Sequence, residues 1–135
     1  MQRHFDAIAP PKLVPCQDDC VRYDRLMIQT LTASEANELM AHSDVEVIDV
    51  REPHEWLSGH LPRARHVPLG QLRQGPKSLL TRDGVIFVCA AGVRSQTAAR
   101  LAESIGLTHV YNLAGGTRSW QSAGLPLVTD ASAAA

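Results

Sequence analysis

The 135-residue chain is short of several things at once: it has three cysteines, two each of Trp, Tyr and Phe, and a formal net charge of −1. An odd cysteine count, at positions 16, 20 and 89, leaves no complete disulfide framework. A chain this long buries about two-thirds of its unfolded surface and needs no covalent staples. Reduced thiols and a cytoplasmic setting are therefore expected. Thirteen basic residues against fourteen acidic ones give no excess of positive charge to attract nucleic acid or an anionic membrane. No apolar run approaches the roughly 18 to 20 residues that span a bilayer, and the opening MQRHFDAIAPPKLVP has no continuous apolar segment before a cleavage site. Nucleic acid and membrane are not expected partners; small molecules and proteins are.

What is present reads as one domain with loose ends. Residues 1–27 are weakly patterned and carry Pro10, Pro11 and Pro15, as expected of an extension; the domain is expected over 28–127 and a flexible tail over 128–135. Residues 28–31 read as a strand, and Thr32 with Glu35 as a capping box opening a helix through about Met40. VEVIDV (45–50) and VIFVC (85–89) are rich in β-branched and apolar residues, the pattern of strands covered on both faces. Between them REPHEWLSGHLP predicts a loop with one short helix, RHVPL (65–69) a short strand and LGQLRQ a turn or two of helix. Residues 95–105, 109–113 and 115–124 continue as helix, strand and helix. Strands alternating with helices predict an α/β fold, with a mainly parallel sheet flanked by helices on both faces.

In such sheets ligands bind at the carboxyl ends of the strands. CAAGVRSQ (89–96) sits at that end of VIFVC, with Cys89 first. A helix N-terminus and Arg94 beside the thiol favour its thiolate form. Gly92 permits a positive φ, so the N–H groups from Ala90 through Val93 to Ser95 can turn inward as an anion nest. Ser95 is expected to cap the helix and Gln96 to point back at the loop. The expectation is an ionised, exposed thiol ringed by peptide N–H groups; a plain buried core cysteine is the competing reading.

VIDVREPHEW, GHLPRARHVPL, VIFVCAAGVRS and NLAGGTRSW, in that order over about residues 28–127, resemble the rhodanese family. The resemblance implies a sulfurtransferase in which Cys89 takes up a sulfane sulfur and passes it on, with residues 89–94 as the active-site loop. It implies an anionic donor (thiosulfate, polysulfide or persulfide), a thiophilic acceptor (cyanide, a thiol or a protein) and no cofactor or metal. Arg94 would bind the donor, Arg65 would help to draw it in, and Ala90, Ala91, Gly92, Val93 and Ser95 would cradle it. Four residues separate Cys89 from Arg94. Related phosphatases place five there, so sulfur chemistry ranks above phosphatase or arsenate reductase chemistry. The alternative is a non-catalytic rhodanese-like module that carries sulfur or binds a partner.

By the same resemblance Asp49, Arg51 and Glu55 are expected to be structural, fixing the loop after VIDV through a buried ion pair and hydrogen bonds. The family's common glycine before Ala64 is Arg63 here, a departure that bears on the local turn. His60 is expected to be a structural loop histidine, Trp56 and Trp120 packing residues, and Gly115–Gly116 a turn into the last helix. Cys16 and Cys20, with His4 nearby, provide too few ligands for a tetrahedral zinc site. A role for either in resolving a Cys89 persulfide is a further expectation.

Overall fold

The most apolar stretch of the sequence forms the middle of a sheet. A computed structural model describes residues 28–129 throughout, and the backbones of two earlier strands, β1 (Leu13–Pro15) and β2 (Val21–Tyr23). The elements that follow are β3 (Ile28–Leu31), α1 (Ala33–His42), β4 (Glu46–Asp49), α2 (Pro53–Leu57) and β5 (Ala64–His66), then α3 (Leu69–Gln74), α4 (Pro76–Leu79), β6 (Val85–Val88), α5 (Arg94–Ser104), β7 (Val110–Leu113) and α6 (Gly116–Ser122). The five later strands pair in the order β3-β7-β6-β4-β5, every pair parallel.

Alternation divides β6 between two cores. Ile86 and Val88 join Leu31, Leu39, Met40, Val47, Tyr111 and Trp120 on one face, whereas Val85, Phe87 and Cys89 join Ile48, Leu72 and Ala98 on the other. Helices α1 and α6 pack together, as do α3 and α5. The α/β expectation with helices on both faces is met. The switch point of the sheet lies between β4 and β6: after β4 the chain moves outward to β5, and after β6 it moves the other way to β7. The loops leaving these two strands thus flank one crevice.

Local signals account for most boundaries. Thr32 accepts from the Glu35 N–H at 3.1 Å and its own N–H donates to Glu35 Oε1 at 2.8 Å, the capping box read in the sequence. β5 ends at His66, short of the expected RHVPL strand, because Pro68 has no N–H to give a ladder and instead precedes α3. The one-turn helix α4 was not expected from GPKSL, where Pro76 takes the N1 position that proline tolerates. β1 and β2 form an antiparallel pair inside the extension, where no strand was expected.

Arg63 is the non-glycine residue with a positive φ among those described, at 69°. That conformation costs an L-residue about 1–2 kcal/mol; Arg63 Nη1 offsets part of it by donating to the Met40 carbonyl at 2.9 Å. Val128, assigned to the tail, bridges antiparallel to His60, each N–H donating to the other's carbonyl at 2.8 Å. Residues 130–135, and His4, Cys16 and Cys20 with their metal and persulfide-resolving readings, lie outside the described residues. Among the described residues no helix is long and apolar enough to cross a membrane, and no group of three or more His, Cys, Asp or Glu side chains is gathered.

Candidate active site

β6 ends at Val88, so Cys89 is the first residue beyond the sheet, with its carbonyl accepting from Thr117 N–H at 2.8 Å. Arg118 N–H donates to the next carbonyl, Ala90, at 3.2 Å. Gly116 makes this docking possible, because a Cβ there would stand 2.1 Å from the Cys89 oxygen. The Gly115–Gly116 turn therefore fixes the back of the loop. Gly92 sets its shape: φ is +94°, and a Cβ would meet Gly115 N at 3.0 Å.

With the chain turned this way, Gly92 N–H donates to Cys89 Sγ at 3.0 Å and Ser95 Oγ lies 3.4 Å from the same sulfur. Burial, the largest influence, pushes the thiol's pKa up. The Ser95 hydroxyl and the N–H groups of Ser95, Ala91 and Gly92 outweigh it and hold the thiol below its ordinary range. Ser95 does not cap the helix as expected: α5 begins after Val93 without a side-chain cap, and the Ser95 hydroxyl donates to Asn112 Oδ1. Gln96 does not return to the loop but lines a groove of about 590 Å³ with Ile28, Thr30, Arg100, Glu103 and Asn112. This concavity adjoins the thiol's support, not the thiol itself.

The expected exposure of the thiol fails. Cys89 is 1% exposed, because its side chain follows the β6 alternation into the core below the loop. The competing picture of a buried core cysteine is met as to burial, yet the sulfur also accepts from the Gly92 N–H. The result is a closed cradle with polar walls.

Arg94 is near Cys89 but is not free. Its Nη1 and Nη2 donate to Glu55 Oε1 and Oε2 at 2.7 and 3.0 Å, a two-pronged pair across the switch-point crevice. The Arg94 hydrogen bond is the main reason that Glu55's pKa is lowered to about 2. Reciprocally, Glu55 raises that of Arg94, and the Cys89 charge adds to the rise. Arg51 and Asp49 form the buried ion pair expected of them: Nη2 donates to Asp49 Oδ2 at 2.8 Å and to the Gly59 carbonyl at 2.6 Å. His60, 2% exposed, stacks on Trp56 with ring centroids 3.4 Å apart, and Trp120 Nε1 donates to the Pro126 carbonyl at 2.7 Å.

Arg65 is not brought to the loop. Its Nε donates to Glu46 Oε2 and its Nη2 to the Leu79 carbonyl, both at 2.7 Å, and Glu46 begins β4 at the opposite end of the sheet. The sequence reading missed Asn112, which is 2% exposed and joins the loop at two points: it accepts from Ser95, and its Nδ2 donates to the Gly92 carbonyl at 3.4 Å. The available signal was a lone amide inside the apolar run VYNL, since a buried amide without partners is costly.

Comparison with known proteins agrees with this architecture. The family model for the rhodanese-like domain matches residues 32–123. An uncharacterized protein of Bacillus subtilis, YqhL, is 38% identical over 98 residues, 73% of this chain and 76% of its own length. The thiosulfate sulfurtransferase GlpE of Coxiella burnetii is 27% identical over 72% of this chain and 91% of its own. The crystal structure of a rhodanese-related protein from Thermoplasma volcanium superposes with a TM-score of 0.67 at 32% identity, covering 74% of this chain and 97% of that one. The chain belongs to the rhodanese-like family.

Proposed function

We propose that the protein is a sulfurtransferase that carries a sulfane sulfur on Cys89. The observation that carries the reading is a sulfur atom facing the N–H groups of Ala91, Gly92 and Ser95 and the Ser95 hydroxyl, with its pKa lowered despite burial. An inert core cysteine gains nothing from such a ring. The thiolate attacks the outer sulfur of a donor; an S–S bond forms at Sγ, the donor's own bond to that sulfur breaks, and its electron pair departs with the leaving group. The inward N–H groups then hold the charge of the Cys89 persulfide. A thiol, cyanide or a protein acceptor removes the outer sulfur and restores Cys89. We place the reaction in the cytoplasm, where such thiols stay reduced.

The test is mass spectrometry after incubation with a donor and removal of the excess. One added sulfur atom, absent in Cys89→Ser, is the expected result; no added sulfur from thiosulfate, polysulfide or hydropersulfide refutes it. A second reading, a sulfur carrier without turnover, draws on the 1% exposure of Cys89, since a closed cradle is unloaded most readily by a partner that opens it. Loading without release to cyanide or a small thiol would favour this carrier.

A further inference from the structure

We infer that the cradle selects a hydropersulfide of a small thiol, R–S–SH, over thiosulfate, because Glu55 occupies the guanidinium that a dianionic donor needs. The inference rests on the sulfur-transfer reading and adds the donor class to it. Both terminal nitrogens of Arg94 are held by Glu55, at 2.7 and 3.0 Å, in the two-pronged geometry with which a guanidinium would otherwise grip an oxyanion. The carboxylate is an internal substitute for the substrate. Arg51 is consumed by Asp49 and the Gly59 carbonyl, and the charge of Glu52 also bears on Arg94. The loop side chains Ala90, Ala91 and Val93 are apolar, with Val93 71% exposed at the crest. Such a rim offers an organic R group a contact and a dianion little attraction.

Charge balance points the same way. Cys89 thiolate attacks the terminal sulfur of neutral R–S–SH, a new bond forms at Sγ, the donor's S–S bond breaks with its electron pair on R–S⁻, and the outer sulfur's proton passes to that thiolate, which leaves as R–SH. One negative charge enters the reaction and one remains, on the Cys89 persulfide held by the N–H groups. Thiosulfate instead brings two charges to a thiolate and leaves as sulfite with two, and the nearby guanidinium meets it only after parting from Glu55. Glu55 is thus a positioning residue acting through Arg94. Arg118, exposed and held by its backbone to the Ala90 carbonyl, is the neighbouring cation to be controlled for.

The experiment measures loading of Cys89 from thiosulfate and from cysteine hydropersulfide, by quenched mass spectrometry at pH 7 and low salt. Wild type, Glu55→Gln and Arg118→Ala are compared, with folding checked by thermal melts. Wild type is expected to load from the hydropersulfide at least about tenfold faster per unit concentration. Glu55→Gln is expected to narrow that ratio about fivefold or more, chiefly through a lower half-saturating thiosulfate concentration, a gain that general damage would not produce. Equal use of the two donors by wild type overturns the inference, whether or not the variant folds. So does an unchanged ratio in folded Glu55→Gln, or a thiosulfate rate that depends on Arg118 alone. If neither donor loads Cys89, the sulfur-transfer reading itself falls, an outcome distinct from equal loading by both.

Discussion

The two ends of the sheet each hold a carboxylate whose pKa is lowered to about 2, Glu55 at the carboxyl end and Asp83 at the amino end. They reach that value differently. At Asp83 burial is the largest influence and raises the pKa, but donors outweigh it: the Thr108 hydroxyl at 2.7 Å, the N–H groups of His109 at 2.8 Å and Gly84 at 2.9 Å, and the His109 ring. Apart from that ring these donors are neutral groups, one from the next residue and two from the segment just before β7. Glu55 is held chiefly by a cation, Arg94, beside the candidate nucleophile, with the Glu52 N–H adding a bond to Oε1 at 2.9 Å. A carboxylate held mainly by neutral donors serves the fold, whereas one held mainly by a guanidinium can yield that guanidinium to another anion.

The largest expected effect comes from the carboxyl end. Gly116→Ala drives a methyl into the Cys89 carbonyl, 2.1 Å away, and cannot be relieved by a flexible side chain. We expect a loss of about 3 kcal/mol or more in chemical unfolding, together with loss of sulfur loading. At the amino end, Asp83→Asn keeps one acceptor but loses the charge, and should cost about 1–2 kcal/mol while leaving the alkylation rate of Cys89 unchanged. A change in that rate would break the separation between the two ends.

Acid titration sharpens the comparison. Both carboxyls have folded pKa values below their unfolded ones, so each stabilises the fold above the unfolded value and loses that contribution as pH falls. The windows run from 4.5 towards about 2 for Glu55 and from 3.8 towards about 2 for Asp83. Because the Glu55 and Arg94 side chains are 24% and 35% exposed, solvent screening reduces the Glu55 contribution to about 1–2 kcal/mol. Stability measured from pH 6 to 2 should therefore fall less steeply in Glu55→Gln, beginning near pH 4.5.

Smaller effects follow at the thiol and at Arg63. Ser95→Ala removes the first of the influences that lower the Cys89 pKa, and should move the midpoint of pH-dependent alkylation up. An unmoved midpoint would mean that the peptide N–H groups alone hold the thiolate. Arg63→Gly relieves a φ of 69° but forfeits the bond to Met40, so the melting temperature should shift by the equivalent of less than about 1 kcal/mol.

Local pattern was enough for β4, β6 and β7, whose β-branched runs match strands buried on both faces. It was enough for the Thr32 capping box, which needs only residues three apart. It also placed Cys89 at a strand's carboxyl end, since the period of VIFVC and the glycine after it are both local. The same order of motifs identified the family. What it lacked was distance: β6 lies between β4 and β7, so Asn112 and Glu55 come to the loop from positions 20 and 39 residues away from Gly92 and Arg94.

The composition and order of residues determined the layered α/β fold, the turn at Gly92 and the cysteine that the turn presents. Tertiary structure alone decided that the thiol is enclosed, that Asn112 braces Ser95, that Arg65 is engaged elsewhere and that Arg94 is already gripped by a carboxylate. Periodicity and turn chemistry act over a few residues and can be read along the chain. Burial and charge pairing act through space, and they depend on which strands the sheet sets side by side.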